Sequence, residues 1–346
     1  MNLLYGTTAG YCEQTAVSMR SVFANNQQAG SIDVYLLCEN VPGALRDKMC
    51  SVAEGYPNAH VHCMDPAPLL EPMKREFRMG AWRGSFCQYI YACLCDAFPQ
   101  LDRILWLDGD VVCVGSLREL WDMDMAGCCL TGSLDCTPFL ALKVDDAFFR
   151  TPYYFNAGVL LFDLPNCREY GLQPRCRQVL RSYGDRLLYR DQTMLNLALP
   201  PERVRHVGLR WDWPAGLQPE VLRGLSRRSS PEKPTFTEAE LNAELADVRL
   251  LHYIGGPTPF KPWFAEYRSP WKAAYLRYRA QTPWAQQPLR RWQDGSAAHA
   301  AQALFSMPRD SGLMGALAAA YGRLHGMQGN PNVGRAHAAG TPAEKN

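Results

Sequence analysis

Hydrophobic and polar positions alternate with two different periods along the first part of the chain. Short apolar runs predict strands at residues 2–6, 32–38 and 59–64, whereas residues 13–25 and 44–56 carry apolar side chains at helical spacing. Strands and helices that alternate in this way predict a mostly parallel sheet covered by helices. We therefore expect an α/β fold.

The second half of the chain is less regular. Thr237 and Glu240 have the spacing of a capping box, so we expect a helix to begin at this threonine. Gln, Ala and Gly accumulate after residue 283, which predicts little stable packing there. The other predicted elements are helices at residues 87–97 and 192–199 and strands at residues 127–133, 157–162 and 248–253.

Two carboxylates follow a strongly apolar strand that begins at Arg103. Asp108 and Asp110 lie on either side of Gly109, which allows the backbone to turn tightly and bring both side chains to one ion. Carboxylate oxygens suit Mg²⁺ or Mn²⁺, and open α/β sheets bind ligands beyond the carboxyl ends of their strands. A cation here could hold a diphosphate. An acidic turn without a ligand is the alternative.

The composition is that of a globular protein with a large core, since 47% of the 346 residues are hydrophobic. The formal net charge of +2 gives no general reason to expect a nucleic acid partner. The charge is uneven, however, because residues 261–346 carry +7 and the remainder carries −5. Such a basic C-terminal part could contact anionic lipid or an anionic acceptor, or could be a solvated tail.

The 13 cysteines are odd in number, contain no Cys-x-x-Cys pair and often lie in apolar runs. This pattern is typical of free thiols that pack as small hydrophobic side chains in a reducing compartment, and it predicts neither a disulfide framework nor a zinc site. Met1 leads almost directly into the first predicted strand, and no apolar run is long enough to cross a bilayer. We expect a cytoplasmic protein, with peripheral contact to the inner face of the cell membrane as an open alternative.

Five segments of the chain resemble a known family. They are residues 3–11, 102–121, 154–162, 189–197 and 252–263. In order and spacing they resemble glycosyltransferase family 8, which includes bacterial lipopolysaccharide glucosyl- and galactosyltransferases and glycogenin. The resemblance extends to about residue 280.

This resemblance implies a fold, a reaction and substrates. The fold would be GT-A, a mostly parallel Rossmann-like sheet flanked by helices, over residues 1–280. Residues 281–346 would form a C-terminal extension that is weakly ordered or partly helical. The reaction would be a retaining transfer of glucose or galactose from a UDP-sugar to a glycan or lipid-linked glycan acceptor, with Mn²⁺ or Mg²⁺ as the cofactor. It would serve the synthesis of lipopolysaccharide or another cell-surface polysaccharide.

The matched positions imply a metal site and a reaction centre. Asp108, Asp110 and His252 match the metal ligands of the family, and a divalent ion there would neutralise the departing UDP. Asp191 and Gln192 match the pair beneath the reacting carbon, where Asp191 would bind sugar hydroxyls and Gln192 would place its carbonyl near the anomeric carbon. Without the family, His252 could simply end a strand, and Asp191 could be the acidic first turn of a helix.

Other matched positions imply the nucleotide site. Thr7, Thr8 and Tyr11 match the loop that holds the nucleotide, where Tyr11 would stack on the base. Gly255 and Lys261 match a later loop, whose lysine reaches the diphosphate as a point charge. Without the family, this lysine would be ordinary solvated charge. The family usually has an acidic residue near Thr8, against the uracil, so the base preference is open.

Three positions match residues that face the donor sugar. Asn156 would hydrogen-bond the sugar, although an asparagine beside Gly158 could instead only brace a turn. Asp135 matches a more variable acid. Tyr91 stands near an arginine of the family and can donate one hydrogen bond but carries no positive charge, so the donor sugar is open.

Residues 270–292 interleave aromatic and basic side chains. This composition suits a peripheral contact with a membrane surface. It suits packing against the domain equally well, and the sequence does not separate the two.

Two other functions fit parts of the sequence. In a haloacid-dehalogenase-like phosphatase, Asp108 would be the nucleophile and Asp110 the acid, but residues 143–146 are a weak substitute for the later motifs. A non-catalytic sugar- or nucleotide-binding member of the family would fit the departures at Thr8 and Tyr91. A turnover assay separates this last alternative from an active transferase.

Overall fold

The computed structural model describes residues 1–82, 84–135, 154–187, 189–215, 237–254 and 261–291. In chain order, the strands of this part are β1 (Asn2–Thr8), β2 (Ile32–Glu39), β3 (Ala59–Met64), β4 (Arg103–Leu107), β5 (Val111–Cys113), β6 (Leu130–Ser133), β7 (Val159–Asp163), β8 (Val204–Val207), β9 (Trp213–Pro214) and β10 (Leu250–His252). The α-helices are α1 (Cys12–Asn25), α2 (Gly43–Cys50), α3 (Ala67–Glu76), α4 (Leu94–Ala97), α5 (Arg118–Trp121), α6 (Leu164–Tyr170), α7 (Leu172–Tyr183), α8 (Arg190–Ala198), α9 (Glu238–Ala246) and α10 (Lys272–Arg279).

A larger sheet has the strand order β3-β2-β1-β4-β7-β6-β8. β1 pairs in parallel with β2 and β4, β2 pairs in parallel with β3, and β6 pairs in parallel with β8. Only β7 runs antiparallel to its neighbours in this sheet. The predicted α/β class with a mostly parallel sheet is therefore confirmed.

Alternate residues of the central strands face two separate hydrophobic cores. Leu3 and Leu105 pack on the face that α1 covers, whereas Leu4 and Ile104 pack on the face that α7 covers. Because both faces are covered, the central strands carry apolar side chains at consecutive positions, which are residues 3–5, 104–107 and 159–162. Ten of the twelve cysteines in the described part of the chain are buried, and they pack as small hydrophobic side chains as predicted.

Several helices differ from the sequence prediction. The helix predicted at residues 87–97 is a 3₁₀ helix, Cys87–Ala92, followed by α4, because Cys93 between them has a non-helical φ of −144° and ψ of 17°. The pattern did not predict α6 and α7. Asp163 caps α6 by accepting a hydrogen bond from the Asn166 backbone N–H at 3.0 Å. Gly171, with a φ of +73°, then separates α6 from α7 and interrupts the helical period.

A smaller sheet, with the order β5-β10-β9, lies at the carboxyl end of β4. β5 follows β4 directly after the two aspartates, and it pairs antiparallel with β10. The predicted capping box opens α9, where Thr237 Oγ1 accepts from the Glu240 N–H at 3.2 Å and the Glu240 carboxylate accepts from the Thr237 N–H at 2.7 Å. This sheet therefore brings late residues of the chain beside the aspartates.

Three aromatic side chains within residues 270–291 pack against the domain. Tyr275, Tyr278 and Trp284 are each at most 6% exposed, and the Arg279 guanidinium forms a buried ion pair with Glu13 of α1, with Nε and Oε1 2.6 Å apart. Packing explains the composition of this stretch, so a membrane contact through these aromatic residues is not supported. In the described residues, no helix has the length and apolar character needed to cross a bilayer.

Residues 281–291, which the sequence assigns to the C-terminal extension, also contact the domain. The Arg290 backbone N–H donates to the Trp263 carbonyl at 3.0 Å, and the Arg290 guanidinium donates to the Gly10 carbonyl at 3.0 Å. Residues 292–346 lie outside the described part, so the order of the rest of the extension stays a prediction.

We expect Glu13→Gln to lower the free energy of unfolding by about 3 kcal/mol, because it leaves the Arg279 guanidinium buried without its counter-charge. Urea unfolding followed by far-UV circular dichroism measures this change. The matched control is Asp122→Asn, which breaks an exposed ion pair with Arg118 and should cost less than about 0.5 kcal/mol. Equal losses in the two variants would contradict a structural role for the buried pair.

Candidate active site

A cavity of about 380 Å³ opens at the carboxyl ends of β1 and β4. Eleven of the thirteen residues predicted for the site line it. They are Thr7, Thr8, Tyr11, Asp108, Asp110, Asp135, Asn156, Asp191, Gln192, His252 and Lys261.

Three of these residues form a cluster that could hold a metal ion. Oxygen atoms of Asp108 and Asp110 lie 3.7 and 3.5 Å from His252 Nε2, and the three potential ligand atoms all lie within 4.8 Å of one another. His252 Nδ1 lies 2.8 Å from Asp212, which leaves Nε2 to face the carboxylates. Two hard oxygen ligands with one imidazole suit Mn²⁺ or Mg²⁺.

Strand pairing and a glycine explain why His252 reaches the aspartates. β10 sets His252 opposite Val111, and the Tyr253 N–H donates to the Asp110 carbonyl at 3.0 Å. A Cβ atom on Gly158 would lie 2.1 Å from the imidazole, so a side chain at this position would displace the histidine. Gly158 therefore leaves the space that His252 occupies.

Gly109 has a different role from the predicted one. Its φ is not positive, so the turn itself does not require glycine. A Cβ atom here would lie 2.6 Å from Thr15 Oγ1 and 3.0 Å from the Tyr11 ring. The close approach of α1 and the Tyr11 ring to the aspartates is what requires glycine.

Lys261 binds Asp110 directly. Its ammonium donates to Asp110 Oδ2 at 2.7 Å and to the backbone carbonyl of Tyr253, and the side chain is 2% exposed. The loop position predicted from the family therefore reaches the cavity, although Gly255 of the same loop lies outside the described residues.

The pKa values of the cluster reflect its charges. Burial raises the pKa of Asp108 to about 6, with Asp110 adding to this shift and His252 opposing it. Burial alone would also raise the pKa of Asp110, but Lys261 and His252 outweigh it and hold that pKa well below its usual range. Burial would lower the pKa of His252, but Asp212 and Asp110 raise it to about 10. The site thus attracts positive charge.

The opposite wall of the cavity is a network of hydrogen-bonded polar side chains. Gln192 Nε2 donates to Asp135 at 2.6 Å, and Gln192 Oε1 accepts from the Ala157 N–H at 3.1 Å. The carbonyl expected at the anomeric carbon therefore already accepts a backbone hydrogen bond. Asn156 Oδ1 accepts from the Gly158 N–H at 2.8 Å. This side chain therefore braces the turn, which was the alternative role predicted for it. Its amide nitrogen has no hydrogen bond within the described residues and is available to a substrate.

Asp191 is a carboxyl group whose surroundings in the cavity favour its protonated form. Its burial raises the pKa well above the usual range, and the charge of Asp108 adds to the shift. A protonated carboxyl can donate a hydrogen bond as well as accept one. Asp191 is therefore suited to contact hydroxyl groups.

The predicted nucleotide loop forms the third side of the cavity. Thr7 is buried, and its hydroxyl accepts from Thr15 Oγ1 at 3.1 Å. The Tyr11 ring makes an edge contact with Trp263, with ring centroids 5.8 Å apart. The stacking role of Tyr11 and the role of Thr8 stay predictions.

Tyr91 is not brought into the cavity. It is fully buried, packs edge-on against Trp106 with ring centroids 5.2 Å apart, and its hydroxyl donates to the Ala157 carbonyl at 3.4 Å. The predicted contact with the donor sugar is not supported, because the ring packs in the core beneath the cavity wall.

Sequence reasoning missed residues that hold the predicted ones in place. Asp212 lies between two tryptophans in the sequence, and its carboxylate holds His252 in place. An acid between two large aromatic residues was the sequence signal that could have pointed to this role. Asn196 exchanges hydrogen bonds of 2.9 Å with both backbone groups of Phe155, which fixes the segment before Asn156. Trp82, 49% exposed, also lines the cavity.

Comparisons with curated proteins agree with the resemblance. The chain is 24% identical over 298 residues to a lipopolysaccharide 1,2-glucosyltransferase of Escherichia coli, an alignment that covers 79% of each chain. It is 24% identical over 209 residues to a lipopolysaccharide 1,3-galactosyltransferase of Salmonella typhimurium, which covers 58% of this chain. The chain spans only 56% of the length of that galactosyltransferase.

Solved structures share the fold. The galactosyltransferase LgtC, in complex with donor and acceptor sugar analogues, has a TM-score of 0.61 at 22% identity, with 82% of this chain and 96% of LgtC covered. The bifunctional glycosyltransferase WbbM has a TM-score of 0.67 at 17% identity, with 82% of this chain and 50% of WbbM covered. The fold of this chain is therefore GT-A. The sequence model described as "Glycosyl transferase family 8" matches residues 2–266, and the chain belongs to this family.

Proposed function

We propose that the protein is a metal-dependent, retaining hexosyltransferase. It would move glucose or galactose from a UDP-sugar to a glycan or lipid-linked glycan acceptor in the synthesis of lipopolysaccharide or another cell-surface polysaccharide, on the cytoplasmic side of the membrane. The observation that carries the proposal is the Asp108, Asp110 and His252 cluster, in the same cavity as Asp191 and Gln192. The names of the two lipopolysaccharide transferases support the choice of hexose and acceptor.

The cluster fits a divalent ion, Mn²⁺ or Mg²⁺, in its donor atoms and in its charge. When bound, such an ion supplies a positive charge that stabilises the departing diphosphate. Asp212 keeps the proton of a neutral His252 on Nδ1, so that Nε2 offers its lone pair. Lys261 contributes a second positive charge at the same end of the cavity.

The opposite wall would bind and orient the hexose. Asp191, whose carboxyl pKa is raised, and Asn156, whose amide nitrogen has no hydrogen bond within the described residues, line the cavity and can hydrogen-bond sugar hydroxyls. Gln192 is fixed by Asp135 and by the Ala157 N–H, which favours positioning over nucleophilic attack. Retention would then follow from attack by the acceptor hydroxyl on the face that the UDP leaves.

Two alternatives are separable from this proposal. Family membership argues against the haloacid-dehalogenase-like phosphatase with Asp108 as its nucleophile. A non-catalytic family member would bind UDP with the metal but release none from a UDP-sugar. The departure at Thr8 motivates that alternative, whereas the assembled metal cluster and the Asp191–Gln192 wall favour turnover.

We expect the wild-type protein to release UDP from UDP-glucose or UDP-galactose in the presence of Mn²⁺. Asp110→Asn should lower kcat/KM at least about 100-fold, because it removes a charged metal ligand. Coupled UDP detection measures turnover, and NMR of the first product should show a retained anomeric configuration. Asp96→Asn, an exposed carboxylate elsewhere, is the control. Full activity of Asp110→Asn would refute the metal assignment.

We expect Asp212→Asn to weaken Mn²⁺ binding by about 10- to 100-fold, because the Asp212 carboxylate then no longer fixes the ring orientation of His252 or keeps its proton on Nδ1. Electron paramagnetic resonance of free Mn²⁺ measures the affinity without any turnover. The matched control is Asp33→Asn, which changes a surface aspartate–histidine pair with His62 and should leave the affinity unchanged. Equal affinities in all three proteins would mean that Asp212 does not position the ligand.

We expect Mn²⁺ binding to release about one proton near neutral pH. His252 must lose its proton to bind through Nε2, and its pKa in the metal-free protein is raised to about 10. The affinity should therefore rise about tenfold per pH unit between pH 6.5 and 8. Calorimetry in buffers of different ionisation enthalpy counts the released protons. An affinity that falls or stays constant as the pH rises would contradict His252 as a ligand.

A further inference from the structure

Lys261 contacts the cluster that could hold a metal ion and also lines the cavity in which a nucleotide would bind. It is the only lysine or arginine among the described residues that line the cavity. Its ammonium binds Asp110 Oδ2 at 2.7 Å, whereas Asp110 Oδ1 faces His252 Nε2 at 3.5 Å. One carboxylate is therefore shared between an internal cation and the cluster that could hold a metal ion.

The Lys261 ammonium lowers the negative charge that the cluster offers to a divalent cation. When His252 is neutral, as a metal ligand must be, the ionised Asp108 and Asp110 offer a metal ion a charge of −2, and the Lys261 ammonium reduces this to −1. Two cations on the same carboxylate repel each other, and the repulsion is strong where water is excluded, as it is around this lysine, which is 2% exposed. The ammonium therefore opposes metal binding for as long as it remains on Asp110.

An anionic diphosphate would change this balance. It would offer the ammonium several oxygen atoms and a larger negative charge than one carboxylate. Lys261 lines the cavity in which such an anion would bind. Once the ammonium has left Asp110, the carboxylate can give its full charge to the metal.

We propose that Lys261 is a tethered competitor of the metal ion. It occupies Asp110 and weakens metal binding when no nucleotide is present, and it moves to the diphosphate when a nucleotide binds. Metal and nucleotide therefore bind cooperatively, and each strengthens the other by the same factor. This inference rests on the proposed function, to which it adds the coupling between the two ligands.

The test is Lys261→Met, which keeps much of the length of the side chain and removes its charge. Mn²⁺ is titrated with detection by electron paramagnetic resonance, with and without UDP. Without UDP, the variant should bind Mn²⁺ about tenfold more tightly than the wild type, and with saturating Mn²⁺ it should bind UDP about tenfold more weakly. The factor by which UDP strengthens Mn²⁺ binding should fall accordingly. Loss of the Lys261 charge should therefore strengthen Mn²⁺ binding and weaken UDP binding.

Three variants serve as controls. Lys261→Arg keeps the charge and should bind Mn²⁺ as weakly as the wild type when UDP is absent. Lys272→Met removes a partly buried lysine that donates to three backbone carbonyls outside the cavity, and it should change neither affinity. Lys261→Gln replaces Lys261→Met if circular dichroism shows that the methionine variant does not fold.

The outcomes separate this inference from the proposed function. If the wild type binds Mn²⁺ and UDP but the neutral variants bind Mn²⁺ no more tightly without UDP, Lys261 only holds Asp110 in place and the competition is refuted. If the wild type binds neither ligand, the proposed function fails, and the inference fails with it.

Discussion

The antiparallel pairing of β5 with β10 is the constraint on which the site depends. It sets His252 beside the aspartates, although the two segments lie far apart in the chain, and the bond from the Tyr253 N–H to the Asp110 carbonyl fixes their separation. The same strand leads towards the loop that carries Lys261. Without this pairing, the carboxyl end of β4 would carry two aspartates and none of the groups that complete the cluster.

Charge compensation then holds the cluster together. Two neighbouring carboxylates repel each other, and the buried Asp110 is costly unless cations face it. His252 and Lys261 supply that positive charge, and Asp212 stabilises the His252 ring through a hydrogen bond at Nδ1. The carboxylates and the lysine that balance one another in the ligand-free protein are also the groups that we propose for the metal ion and the diphosphate. In this site, stability and binding depend on the same charges.

Hydrogen bonds to the backbone limit what the opposite wall can do. Gln192 is committed to Asp135 and Ala157, and the carbonyl oxygen of Asn156 braces Gly158. The groups left for a substrate are few, which suits a wall that orients a sugar without reacting with it. Hydrogen bonds that are formed before a ligand arrives hold polar atoms in place for it.

The sequence by itself determined the α/β class, the strand that ends at Asp108, and the capping box at Thr237, because periodicity and capping report local burial and local hydrogen bonds. Only the tertiary structure decided that Tyr91 packs in the core, that Asp212 holds His252, and that Lys261 binds Asp110. These contacts join residues that lie far apart in the chain, so no local sequence pattern predicts them. The same reason applies to Tyr275 and Tyr278 of α10, whose aromatic character fits a membrane or a core until the packing of α10 on α1 decides it.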